Sequence, residues 1–395
     1  MSAKFRSKQS PMAIALALLF ASTGAFAQST SKVTTQDINQ SQAGLLNNQQ
    51  MDLGNATNKG QSKVDLKNVT QSQAGLLNNQ KMAVGNANGG KTDVKASNIN
   101  QSQAGLLNSQ EMSIGNANKG GQSNVQVSNV TQGQAGLLNR QKMSIGDADK
   151  GKSNVRNAGP IMQGQAGLLN NQEMNLGSVK GDGSTNVRTG AILQGQAGLL
   201  NSQKMDVGGS KDGGKTNVAA GAILQGQAGL LQRQNMEIGT ASGKGSQSNV
   251  ALGAAVQGQA GLLNNQDMKI GNSSGGGKSN VAMGAAVQGQ AGLLNNQSME
   301  VGNSSSGGKS NVAVGTVVQG QAGMLQNQTA KIGNAQGGTA NVAVGAVIQG
   351  QAGMLNHQEV NIGNAKGGST NVVTGAVVQG QGGMLNVQKV NIGNN

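Results

Sequence analysis

The sequence has no cysteine, no tryptophan and no tyrosine, and its only aromatic residues are Phe5, Phe20 and Phe26. Without cysteine, a disulfide scaffold and the cysteine-based zinc modules are excluded. Without aromatics beyond residue 26, an aromatic-rich enzyme core is very improbable, and so are the girdles of an outer-membrane barrel. The same lack removes the platforms on which nucleotide bases stack. Proline occurs twice and charged residues make up only 11% of the chain, where a disordered polymer is usually richer in both. Long apolar runs are missing too. The one candidate, Met12–Ala21, is too short to span a bilayer.

That run follows Lys4, Arg6 and Lys8 and precedes small residues at Ala25 and Ala27. A basic start, an apolar stretch and a small-residue site form a secretory signal peptide, with cleavage expected after Ala27. The expected organisation is therefore a signal peptide over 1–27 and one secreted repeat unit over 28–395. Loss of three cations takes the formal charge from +14 to +11.

What fills the mature chain is self-similarity. The segment Gln-x-Gln-Ala-Gly-Leu-Leu-Asn recurs with its glycine at 44, 75, 105, 136, 167, 198, 229, 261, 292, 323, 353 and 383, a spacing of 30 to 32 residues. With that glycine as position zero, Gln occupies −4, −2 and +5 in all twelve copies. Position +3 is Asn except at Gln232 and Gln326, +9 is aliphatic, and +10 is always Gly. A period of this length means stacked units that bury a shared core, since no single repeat can bury its own apolar face.

Within each copy the period is two. Positions +1, +3, +5, +7 and +9 carry Leu or Met, Asn, Gln, mostly Met, and Ile, Val or Leu, whereas +4, +6 and +8 are variable and charged. Such alternation predicts a β-strand with its odd positions inward. A β-branched strand precedes it, as in Asn311–Gln321, and a Gly/Ser/Asn/Lys loop closes the copy. The early strand has apolar residues at both parities and Gly or Ser near −8 or −6, so a bulge is expected there. The predicted fold is all-β: a β-solenoid of about twelve strand–turn–strand repeats with parallel, in-register ladders.

Register is testable from charge. Position +6 carries Lys81, Glu111, Lys142, Glu173 and Lys204 in consecutive copies, and +8 carries Glu237, Lys269, Glu300 and Lys331. Turns stacked ~4.8 Å apart would set these opposite one another, where opposite signs attract and like signs repel. The inward polar ladder is expected at −2, +3 and +5: Gln42, Asn47 and Gln49; Gln73, Asn78 and Gln80; Gln290, Asn295 and Gln297; Gln381, Asn386 and Gln388. Stacked amides of this kind bond side chain to side chain as in cross-β structures.

The spacing Gln-x-Gly-x-x-Asn, as in Gln290-Ala-Gly292-Leu-Leu-Asn295, resembles the core of the curlin repeats of bacterial curli fibres. The resemblance covers residues 28–395. It implies a secreted subunit that assembles into adhesive, amyloid-type fibres of a biofilm matrix. The repeats here are longer, carry an extra Gly/Ser/Lys loop and place Gln at +5.

Other chemistry is sparse. His357, the one histidine, sits at +4 on the predicted outer face without a Cys or an ordered acid, and reads as a surface residue. Nine Met residues from Met51 to Met299 occupy +7, a packed column rather than a soft-metal ladder, because Ala330, Val360 and Val390 follow at the same position. Asp182 and Asp212 lie in Gly-rich turns, but no calcium-binding repeat recurs. No cofactor and no enzymatic site is expected. The loop lysines, such as Lys278 and Lys309, read equally as solubilising charge or as attraction to anionic polysaccharide, extracellular DNA or cell surfaces. No residue pattern identifies an export machinery.

Two functions stand after these exclusions, with a disordered Gly/Asn/Gln-rich secreted polymer as a weaker third. One is a structural subunit that adds to its own kind through open solenoid ends to form extracellular fibres. The other is a monomeric secreted solenoid that binds a glycan, ice or host surface, although ice binding calls for regular Thr arrays and Thr is scattered here.

Overall fold

The structure is a computed structural model, and it describes residues 30–57 and 59–393. The expected signal peptide, residues 1–27, lies outside the described residues. Among the described residues there is no helix, and strands follow one another from Thr30 to Ile392.

Each copy contributes one long strand path. In seven copies this path is a continuous 24-residue strand, for example Gln61–Val84, Lys309–Ile332 and Ser369–Ile392. In the middle copies it is interrupted at the Ala-Gly-Leu arc, as between Lys278–Ala291 and Leu294–Val301. Copy five is cut once more, between Lys152–Asn157 and Ile161–Ala166, where Pro160 supplies no ladder donor. A two-residue strand then closes each turn, from Ala56–Thr57 to Ala365–Lys366, and these short strands build an eleven-stranded sheet of their own.

Every strand ladder between successive turns is parallel and in register, and the one exception among the described residues is an isolated antiparallel bridge between Thr57 and Gly89. Gln297 pairs with Gln266 and Gln328, and Met299 with Met268 and Ala330. The chain is thus a β-solenoid whose axis runs along the inter-turn hydrogen bonds. At ~4.8 Å per turn, the twelve copies form a rod roughly 58 Å long.

Inside a turn, the two halves of the path fold against each other around the arc. Gln321 Nε2 donates to the Asn327 carbonyl across the arc at 3.1 Å, and Gln319 Nε2 to the Thr329 carbonyl at 3.4 Å. Between the halves lies a core of stacked columns, with Met268 and Met299, Ile238 and Ile270, and Val317 and Val347 all fully buried. At ~1.5–3 kcal/mol for each fully buried aliphatic side chain, these columns dominate the stability of the turn.

Two glycines set the corners. Gly302 at +10 has φ +65, a left-handed conformation that only glycine adopts at little cost, and a Cβ there would strike Val312. At the arc, a Cβ on Gly292 would collide with the Gly261 carbonyl of the turn below. Both positions are glycine in every copy, where an adjacent turn passes too close for a Cβ.

The early strand changes its inward parity. In copy ten Ser310, Val312 and Val314 are buried, then Val317, Gln319 and Gln321, so two residues, Gly315 and Thr316, separate the two sets. The pairing of successive turns skips that glycine, as between Met283–Val314 and Ala285–Thr316. One expectation is corrected. Position +1 does not point inward: Leu293 at +1 and Leu294 at +2 are 44% and 42% exposed. Alternation stops at the arc, where the backbone turns around Gly292 and both leucines face solvent.

Candidate self-assembly interface

Four columns of amide side chains run up the core. At +5, each later Gln donates Nε2 to the Oε1 of the copy before it, from Gln110 on Gln80 through Gln297 on Gln266 to Gln388 on Gln358. These ten bonds measure 2.7–3.2 Å without a gap. Gln49 is buried at the foot of this column. At −2 the same polarity runs from Gln103 on Gln73 through Gln290 on Gln259 to Gln381 on Gln351. A third column at −4, from Gln71 on Gln40 to Gln379 on Gln349, is also continuous.

The Asn column at +3 has the opposite polarity. Asn108 Nδ2 donates to Asn139 Oδ1 of the following copy at 2.9 Å, and the same holds for Asn264 on Asn295 and Asn356 on Asn386. The Nδ2 is shared with the carbonyl of its own arc glycine and of the residue before the next copy's arc glycine, as with Asn295, Gly292 and Ala322, or Asn356, Gly353 and Gly382. Gln232 and Gln326 interrupt this column: their longer side chains reach the same carbonyls but leave Oε1 without a donor, and Asn264 and Asn356 lose theirs as well. The side chains of Asn47 and Asn78 lie outside the described residues. Gln42 is half-buried, and Gln73 Nε2 has no acceptor in the described structure.

In the last described turn the columns have no further partner among the described residues. Asn386 and Gln388 are exposed, Gln381 is half-exposed, and Gln381 Oε1 has no donor above it in the described structure.

The charge columns face as their register requires, but few of their members close. Lys81 opposes Glu111, Glu111 opposes Lys142, and Glu173 lies between Lys142 and Lys204. Glu237, Lys269, Glu300 and Lys331 follow one another at +8. Ion pairs form at Lys81–Glu111 (3.5 Å) and Glu300–Lys331 (3.6 Å), and at Glu359–Lys389 (3.8 Å), a rung the sequence reading passed over. Lys269 instead pairs with Asp267 of its own strand at 3.6 Å. Exposed pairs of this kind each contribute ~0–1 kcal/mol, so they mark register more than they supply stability.

Two features of this surface escaped sequence reasoning. The first is a column at +11, where Asn86 N–H donates to Asn55 Oδ1, and Asn303 and Asn334 repeat the pattern at 2.9 Å. The repeated Asn-after-Gly was its signal. In copy four this residue is Asp147, which accepts from the Ser178 N–H at 2.9 Å. Burial, with the nearby Asp206 carboxylate adding, pushes its carboxyl up to about 7, against lowering by Ser178, Ser144 and Lys142. Asp206 faces Glu237 directly, a like-signed rung. Burial first and Glu237 second push it up to about 6. Burial also raises Asp267, although Lys269 beside it lowers it.

The second feature is the arc itself. Its Leu and Met side chains at +1 and +2 stack into an exposed ridge, from Leu76 and Leu77 to Met384 and Leu385.

No protein family, curated protein or solved structure matches the chain. The geometry therefore stands by itself as the ground for a functional reading.

Proposed function

We propose that this protein is a secreted structural subunit that adds end to end into extracellular amyloid-type fibres, with roles in a biofilm matrix and in adhesion. The observation that carries the reading is the directional Gln columns. Every turn offers Oε1 acceptors on one side and Nε2 donors on the other, so a turn of a second copy bonds to the rod as its own turns bond to one another. Open strand edges invite such addition, and in-register polar columns are the pairing found in cross-β assemblies. The arrangement asks for no cofactor and no chemistry, only repeated copies of one surface.

Electron microscopy and fibre diffraction of the purified mature protein test it. The expected result is unbranched fibres with a meridional spacing of ~4.8 Å. Protein that stays monomeric by light scattering at high concentration overturns the proposal. The alternative of a monomeric, surface-binding solenoid would then be the reading to pursue.

A further inference from the structure

The ridge of leucines at the arc serves no purpose in the core. Twenty-one Leu and Met side chains at +1 and +2 are between 37% and 74% exposed, where the columns on either side of them are buried. Taking ~100 Å² of apolar side-chain surface per leucine, the area implied by the burial energies of such side chains, the ridge presents roughly 900 Å². The largest apolar patch on an ordinary monomer is ~300–600 Å². A face this large is the size of one side of a specific protein interface, which buries ~800 Å² per partner.

Beside the ridge lies a groove that fits it. Position −3 is glycine in nine copies, from Gly133 to Gly380, and its backbone is not in the left-handed region. A Cβ built there meets nothing within 4 Å. The fold itself therefore does not require glycine at −3, and the first three copies carry Ser41, Ser72 and Ser102 instead. What nine glycines do is keep the outer surface low next to a ridge of leucines.

Charge identifies the occupant. The chain carries 29 Lys and Arg against 15 Asp and Glu, so two copies repel over most of their surface. The ten positions from −5 to +4 are the exception. Across all twelve copies they contain two Lys, Arg, Asp or Glu side chains, Arg140 and Arg233, and one histidine, His357. An amphipathic surface built for a membrane borders its apolar face with Lys and Arg. Here the borders are Asn, Gly and Ala. The repeat along the ridge is one turn, and a second rod of this chain presents the same repeat.

We propose that this face is a lateral interface between two copies of the chain, the leucine ridge of each rod seated in the Gly/Ala groove of the other. A face that matches itself closes by two-fold symmetry, which yields paired rods rather than open sheets. The pairing runs perpendicular to the stacking axis and does not depend on end-to-end addition.

The test uses the full mature chain with Leu200, Leu231, Leu263 and Leu294 replaced together by Ser, and a second variant, Gly258→Val with Gly289→Val. The leucines are already exposed, and valine at −3 points into open space in a strand, so both variants are expected to keep the β-sheet circular dichroism of the parent. Fibres are weighed by mass per length in scanning transmission electron microscopy, and unpolymerised protein by sedimentation velocity. The parent is expected to show two chains per rod length, or a dimer in solution, and both variants half that mass. Should no fibres form at all, the dimer-to-monomer change still reads the interface. A parent with the mass of a single rod, or variants with the parent's mass, overturns the inference. So does a parent that is a single rod and co-sediments with phosphatidylcholine vesicles, since the ridge is then a lipid face.

Discussion

Asp147 stands where eight of the other copies place Asn, and replacing it with Asn is expected to stabilise the rod at neutral and alkaline pH. At this position Asn55, Asn86 and Asn116 each accept the backbone N–H of the following copy, which an amide does at no ionic cost. Asp147 makes the same bond to Ser178 N–H, but its carboxyl must also ionise in a site that burial and Asp206 make unfavourable. Its folded value of about 7 lies above the ordinary 3.8. The folded state therefore holds the proton more tightly than the unfolded one. The stabilising contribution is complete below ~pH 4 and is lost as pH rises through about 7. A full conversion at ~1.4 kcal/mol per tenfold change in proton affinity would be ~4 kcal/mol, and residual solvent contact reduces it to ~1–3 kcal/mol.

Denaturant unfolding of the parent and of Asp147→Asn, at pH 4.5 and pH 8, measures this difference. The variant should gain ~1–3 kcal/mol at pH 8 and a smaller amount at pH 4.5. Comparing the two proteins at each pH isolates the contribution of this one side chain. Because repeat proteins unfold in neighbouring units, exchange of the Ser178 amide should slow locally as well. A variant equal to or weaker than the parent at pH 8 refutes the reasoning.

Two further substitutions probe the columns. Gln297 is fully buried between Gln266 and Gln328, so Gln297→Lys should cost several kcal/mol, whereas Ser298→Lys should stay within ~0.5 kcal/mol because that side chain faces outward opposite Asp267; equal slowing of assembly by the two would mean that the parity is wrong. Gln232→Asn should rejoin the Asn column between Asn201 and Asn264 and add ~0.5–1.5 kcal/mol in the same unfolding experiment, and a loss of stability would show that the longer side chain is needed for the Gly229 and Ala260 carbonyls.

Most of the fold was legible because the copies can be compared with one another. Identical Gln at −4, −2 and +5, and alternating Lys and Glu at +6, imply a stack in register, and the strand pairs follow that register residue by residue. The same comparison failed where a two-residue period was carried through a turn. Leu293 was read as inward because Asn295 and Gln297 are, yet the arc at Gly292 resets the count and both leucines emerge. In the early strand, mixed parity correctly pointed to an irregularity. Its form is the two-residue step at Gly315 and Thr316. The Asn column at +11 was missed because each member is a single residue between a glycine and a loop, outside any periodic run.

The polarity of the columns could not be read from the sequence at all, and it bears most directly on how copies would join. Three Gln columns donate toward the N-terminal end of the rod, while the Asn column donates toward the C-terminal end. A flipped neighbour, stacked antiparallel, would bring Oε1 to Oε1 in three columns at once and leave buried acceptors unpaired, at ~1–3 kcal/mol each. Parallel stacking satisfies all of them. The Asn column imposes the same preference from the opposite direction, but Gln232 and Gln326 break it into shorter pieces, whereas the column through Gln297 passes both sites unbroken. Direction is therefore carried by the glutamines, and it is set again at every described turn.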